Sequence, residues 1–317
     1  MSRLESTKSF VLPLVATVFL FLSGVAIPLA GILLIPLVPQ PPLAFSVKYG
    51  KGGAIWLLFS ASILLLLLGG REAALGYLLL ALMVVFLSCC FGRGWSIEAV
   101  VVSTATGMVV AASTVLFSLF GSLSRLRQVA DSALRENLEI SLMIYEKAGF
   151  SAETIELARE RSSQVIGVIL QIMPALAFMG FVAVILINLM LLFYRFPEDR
   201  NFFFAIGDLK EWRSPEPLIW CFILSGFSLF LPAHWGLKIL GLNLLLIITL
   251  FYFFQGLAIV AYFFHHKRVP RLLRGIGYGL IALEQLVTLF VVGLGLFDLW
   301  GDFRRLRKRD LNPTQVT

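Results

Sequence analysis

Residues 275–309 read GIGYGLIALEQLVTLFVVGLGLFDLWGDFRRLRKR. About twenty of them form an almost unbroken apolar run, long enough to cross a bilayer as a helix at 1.5 Å per residue. Glu284 and Gln285 stand in its middle. Asp298 and Asp302 follow, then Arg304, Arg305, Arg307, Lys308 and Arg309. The stretch predicts a last membrane span with an ionisable group near its centre and a charged stop at its end. A carboxyl at that depth is costly unless it is protonated, paired or turned toward an aqueous cavity. Glu284 is therefore the leading candidate for a functional group.

The same apolar character recurs from Phe10 to Leu299. The 317 residues are 59% hydrophobic and 14% charged, with a mean hydropathy of +0.90. Soluble domains carry about 25% charged residues. The excess is spread as spans, so the expected fold is all-α: a polytopic transmembrane helical bundle of about eight spans (7–9). The alternating ten-residue pattern of an outer-membrane barrel is missing.

The net charge of +7 suits loops beside anionic headgroups, so membrane lipids are the first expected partners. No nucleic-acid partner is expected, because the cations are scattered among spans. Cys89, Cys90 and Cys221 all lie in apolar stretches and read as packing residues. No metal and no cofactor are expected.

The first span, about Phe10 to Ile27, resembles a signal peptide, but so many spans follow that it reads as retained. Pro28, Pro36, Pro39, Pro41 and Pro42 then punctuate an apolar segment. A continuous helix would lose backbone bonds at each proline. The segment is a broken span, a re-entrant loop or an interfacial loop; the count of eight treats it as a loop. Ile55–Leu68 and Ala74–Phe91 form a hairpin around Gly69-Gly70-Arg71; the first leg is short for a full crossing, which allows a start near Tyr49. In Ile97–Phe120, Ala99, Ser103, Gly107 and Ala111 recur at i+4, a small-residue face for helix packing.

From Ser122 to Ser163 the chain is polar, with leucines at helical spacing, Gly149 as a stop and Ser151 as an N-cap. This predicts one amphipathic helical hairpin between spans, fit to lie on the membrane, dock a protein partner or simply connect. Pro174 should kink the next span and free a carbonyl near Gln171. Asn188 there, and Asn243 and Gln255 in the span 237–264, are polar groups inside apolar helices. Phe202, Phe203, Phe204, Trp212 and Trp220 fit an interfacial aromatic belt. His265 and His266 are adjacent and point about 100° apart, so they read as interface anchors beside Lys267 and Arg268. Gly275 and Gly279 make a second small-residue face. The segments are then a membrane bundle over 1–121, the hairpin over 122–163, a second bundle over 164–299 and a basic tail over 300–317.

With eight spans, a small majority of the 26 cations falls on the side of both termini and favours a cytoplasmic placement for them. A ninth span would divide the cations evenly.

The pattern FYFFQGLAIVAYFF over 251–264, a basic turn, then GLGLFDLWGDFRRLR over 293–307 resembles the YybS-like family of uncharacterised bacterial membrane proteins. LIPLVPQPPLAFSVKYG over 34–50, followed by the Gly-bounded hairpin, fits the same order. That family is distantly similar to the S components of energy-coupling-factor vitamin transporters. The resemblance implies a multi-pass protein of the bacterial cytoplasmic (inner) membrane, whose first several spans form a small-molecule-binding bundle. S components are substantially shorter, and their AxxxA coupling face has only Ala26 and Ala30, interrupted by Pro28, as a counterpart here. There is no Walker A motif, so an ATPase would be a separate subunit.

Two function classes follow. One is small-molecule binding or transport, with Glu284, Gln285, Gln255, Asn243 and Asn188 as candidate ligand-binding residues. The other is an envelope scaffold or accessory protein recruiting partners through the 122–163 hairpin. An enzyme is not expected: no GxSxG, HExxH or paired intramembrane aspartates occur, and Ser225-Gly226 with His234 makes no convincing pair.

Overall fold

The computed structural model describes residues 3–198, 210–232 and 235–306. Phe202, Phe203, Phe204, His234 and the cations at 307–309 lie outside them. Among the described residues all regular structure is helical: α1 (Arg3–Ala26), α2 (Pro28–Leu34), a 3-10 turn (Ile35–Leu37), α3 (Gln40–Cys90), α4 (Ile97–Phe120), α5 (Leu123–Lys147), α6 (Ala152–Arg195), α7 (Leu218–Phe230), α8 (Trp235–His266), α9 (Arg271–Leu283) and α10 (Gln285–Gly301). Among the described residues five helices are long and apolar enough to cross a membrane, or up to six if the bent pair α9–α10 is one span. The helical membrane bundle expected from the sequence is what the chain forms. It divides into two compact units, one of Met1–Leu170 with Leu176–Ile206, the other of Gln171–Ala175 with Gly207–Thr317.

In the first unit the apolar stretch Ala30–Cys90 has 61 residues. As one helix it would be about 90 Å long, three times a hydrocarbon core. It folds instead. Gly50 (φ 79°) and Gly70 (φ 78°) leave helical geometry. Ser88 Oγ donates to Ser46 Oγ at 3.1 Å, and Lys51 Nζ to Cys89 O at 3.4 Å. Residues about forty apart in sequence therefore share one end, with Gly70 at the far tip. The hairpin expected around Gly69-Gly70-Arg71 is present, and its first leg starts after Gly50, close to the Tyr49 start that its short apolar run suggested.

The proline-rich segment is a broken helix, not an open loop. Gly24 sits against Gly31 and Ile35, while the Phe10 ring meets Phe45 at 5.8 Å. The segment thus returns antiparallel along α1. Pro28 and Pro36 stand in the first positions of α2 and the 3-10 turn, where a missing N–H costs nothing. The prolines divide the helix without leaving donors short.

α4 packs through Val100, Val101, Thr104, Ala105 and Met108. Of the predicted face, Ala99 and Ser103 are exposed and Gly107 meets the Phe86 ring. The buried stripe is offset by one residue, because burying Val100 and Met108 removes more apolar surface than burying Ala99 and Ser103. In the polar hairpin, Ser122 and Ser151 accept from the amides of Arg125 and Thr154 as N-caps. Gly149 (φ 89°) follows the end of α5. Leu126, Ala130, Leu134, Leu138 and Leu142 form its packed stripe. Arg159 pairs with Glu139 at 3.0 Å, and Arg135 reaches Ser163 at 3.3 Å. Such exposed pairs fix register more than they stabilise.

In the second unit, Gly241 on α8 takes up Ser225 and Ser228 of α7. The run 275–299 is not one straight span. It breaks at Glu284 (φ −101°, ψ 112°), and α9 meets α10 at a bend of 100°. Thr288 Oγ1 covers the Ile281 carbonyl freed at the break, at 2.5 Å.

Candidate functional site

The second unit holds a polar cluster whose position is set by two glycines. A Cβ on Gly256 of α8 would strike the Val291 carbonyl of α10, and one on Gly295 would strike the Tyr252 carbonyl of α8. The two backbones touch, as small residues allow. That contact carries Gln255 against Asp298. Gln255 Nε2 donates to Asp298 Oδ2 at 3.2 Å, and Arg304 Nη2 donates to the same oxygen at 2.8 Å. Asp298 Oδ1 accepts from the Phe303 amide at 2.9 Å. Both side chains of this ion pair are essentially out of solvent, at 0% and 1% exposure.

The cluster ties down the segment before α7. Arg304 Nη1 donates to the carbonyls of Lys210 and Trp212, at 2.7 and 3.0 Å. Gln255 Oε1 accepts from the Ser214 amide at 3.1 Å and from its hydroxyl. Arg213 Nη2 donates to Asp302 Oδ1 at 2.6 Å. A cavity of about 20 Å³ remains beside Arg213, Gln255 and Asp302, room for one water. Carboxylates so occupied by guanidinium and amide donors hold a segment in place.

Asn243 has a second task in this unit. Pro174 lacks the N–H that would continue the ladder of α6. One turn around it, the Ala175 amide donates to Asn243 Oδ1 at 2.8 Å, and Asn243 Nδ2 donates to Gln171 O at 2.8 Å. A regular helix pairs Ala175 N–H with Gln171 C=O directly; here one carboxamide engages both. Asn243→Leu leaves two buried backbone groups short and is expected to cost about 2 kcal/mol, between the soluble and the membrane scales. Thr249→Val on the same helix removes only a bond to its own Leu245 carbonyl and should change little. Unfolding of the purified variants in mixed micelles reads the difference.

In the first unit, Asn188 is fully buried and donates to Pro36 O and Val184 O, both at 2.8 Å. Its Oδ1 has no partner among the described residues, and the same holds for Gln40 Oε1, Tyr77 Oη and Thr104 Oγ1. Pro36, held by Asn188, also lines an open apolar groove of about 510 Å³ with Gly24, Gly31 and Ile35.

Of the five residues singled out in the sequence, Gln255 alone enters the Asp298–Arg304 cluster. Asn243 and Asn188 hold backbone elsewhere, and Glu284 and Gln285 are exposed at the bend. Among the described residues the expected small-residue face of Gly275 and Gly279 meets no helix: a Cβ on either would meet nothing within 4 Å, whereas one on Gly277 between them would meet the Phe264 ring at 2.7 Å. By sequence, Asp298 and Arg304 look like parts of a charged stop. The signal available was their spacing with Asp302; Arg213 and Ser214, some 85 residues away, gave none.

No curated protein and no solved structure matches this chain. The family model described as "Predicted membrane protein (DUF2232)" matches residues 15–299, and the chain belongs to that family of multi-pass membrane proteins.

Proposed function

We propose that the first unit is a small-molecule-binding bundle and that the chain serves binding or transport, S-component-like and without its own ATPase. One observation carries the reading. Four buried side-chain oxygens, on Gln40, Tyr77, Thr104 and Asn188, have no hydrogen-bond partner among the described residues. Buried polar groups are nearly always satisfied, and an orphan costs about 1–3 kcal/mol. Water or a ligand offering donors supplies what the protein does not. The groove beside Pro36 is of a size that suits a small organic ligand.

Tyr77→Phe with Thr104→Val tests this. With no ligand bound, removing two orphaned hydroxyls should raise the melting temperature by roughly 2–4 °C. A panel of water-soluble vitamins, screened by thermal shift, should contain a compound that stabilises the wild type and not the double variant. A panel without effect on either protein would sink the binding reading.

A second reading rests on the hairpin of α5 and the start of α6. Ile140, Met143, Ile144, Tyr145 and Phe150 are each at least half exposed near its tip. Exposed apolar residues grouped in this way suit a protein partner, as a scaffold or accessory role requires. Replacing Ile140, Met143 and Ile144 with glutamate should leave folding intact and abolish in-cell crosslinks from the tip. Unchanged crosslinks would remove this reading.

A further inference from the structure

We propose that α9 is an interfacial helix: it lies in the membrane plane, its leucine face in the outer acyl region, with the cations beside it on anionic phospholipid headgroups. The bend comes first. α10 runs antiparallel against α8, with Gly295 beside Tyr252 and Gly256 beside Val291. α8 has 32 residues, about 48 Å of helix, enough for a full crossing. α9 departs from α10 at 100°. α10 has 17 residues, about 26 Å and the short end of a crossing, and it is aligned with α8; a helix perpendicular to that pair runs parallel to the membrane plane. Its level is the C-terminal end of α8, because the Phe264 ring packs on Tyr278 at 5.5 Å and fills the space beside Gly277.

The side chains agree with that placement. Leu272, Leu273, Ile276, Leu280 and Leu283 fall within about 100° of arc on the helix. All five are exposed, Leu272 at 76% and Leu283 at 85%. The packed side is a different one, formed by Gly277, by buried Ile281 and by Arg274, whose Nε donates to Val269 O at 2.7 Å. So the apolar face is left over after α9 has docked on its own unit. Arg271 points away from it, and Lys267 and Arg268 precede it, all three exposed. A basic cluster flanking an amphipathic helix at the end of a span is the arrangement that attracts anionic lipid. The bilayer is the occupant that matches both the face and the charge.

The test uses the full chain in vesicles, with Cys89, Cys90 and Cys221 replaced. Nitroxides attached at Ile276→Cys, Leu280→Cys and Leu283→Cys are compared for oxygen and nickel accessibility. Equal, shallow depths, roughly 5–10 Å below the phosphates, are expected. Depth growing by about 1.5 Å per residue along the helix would mean that α9 inserts, and water exposure at all three would mean that it stands free; either overturns the proposal. For the headgroups, association of spin-labelled phosphatidylglycerol and phosphatidylcholine is compared in wild type and in Lys267→Gln/Arg268→Gln/Arg271→Gln. The wild type should prefer phosphatidylglycerol, and the preference should fall roughly fivefold per cation removed. An unchanged preference in the variant, or displacement of the lipid by millimolar inorganic phosphate, would show that the cations do not read a lipid surface.

Discussion

Arg304→Met should cost the folded protein about 3–5 kcal/mol, the largest effect expected of any single charge in the chain. The side chain is out of solvent, and removing it strands the Asp298 carboxylate and the carbonyls of Lys210 and Trp212. Asp298→Leu should be comparably severe, since it strands the guanidinium. The pair as a whole is worth much less than either half, because both ions have already been taken out of water. Asp298→Leu/Arg304→Met should therefore recover a good part of the loss, with a coupling of about 2 kcal/mol or more. Arg304→Lys should not rescue, because one ammonium cannot match a planar fork that reaches a carboxylate and two carbonyls. Arg305 is exposed, and Arg305→Gln should stay within about 0.5 kcal/mol. Denaturant unfolding in mixed micelles would measure the series. Equal effects at 304 and 305 would mean that the ion pair contributes nothing.

Gly295→Ala and Gly256→Ala should be the next most damaging changes, at about 3 kcal/mol each, the upper range of over-packing. The added methyl meets a backbone carbonyl in each case. A carbonyl held in a helix cannot swing aside as a side-chain end can, so α8 and α10 must separate. Separation also draws Gln255 from Asp298, so Gly295→Ala and Asp298→Leu should be less than additive. Gly293, two residues along the same helix, has open space around its Cα. Gly293→Ala should be neutral or stabilise by up to about 1 kcal/mol through helix propensity. The contrast is read by melting and by retention of a monodisperse peak on size exclusion. A Gly295→Ala variant as stable as Gly293→Ala would show that the helices do not touch there.

These contrasts separate what is local from what is not. Hydropathy is a sum over neighbouring residues, so the helical membrane class, the hairpin at Gly70 and the cap at Ser151 were legible in the chain itself. Each depends on residues within a few positions of one another. Polar groups in apolar helices were legible too, as exceptions to the pattern: Asn188, Asn243 and Gln255 are all buried.

What those groups touch was not legible. Arg304 and Arg305 are adjacent and chemically identical, yet one is buried on Asp298 and the other faces out; only the arrival of the 210–214 segment distinguishes them. Gly275 and Gly279 have the spacing of a packing face and meet nothing among the described residues, while Gly256 and Gly295, on different helices, bring two backbones into contact. Glu284 lies at the centre of an apolar run by sequence, and the chain bends there and leaves it exposed. A span is determined by the free energy of transfer of its own residues. A helix contact is determined by which two surfaces remain to be covered once every other one has found its place, and that is decided by the tertiary structure alone.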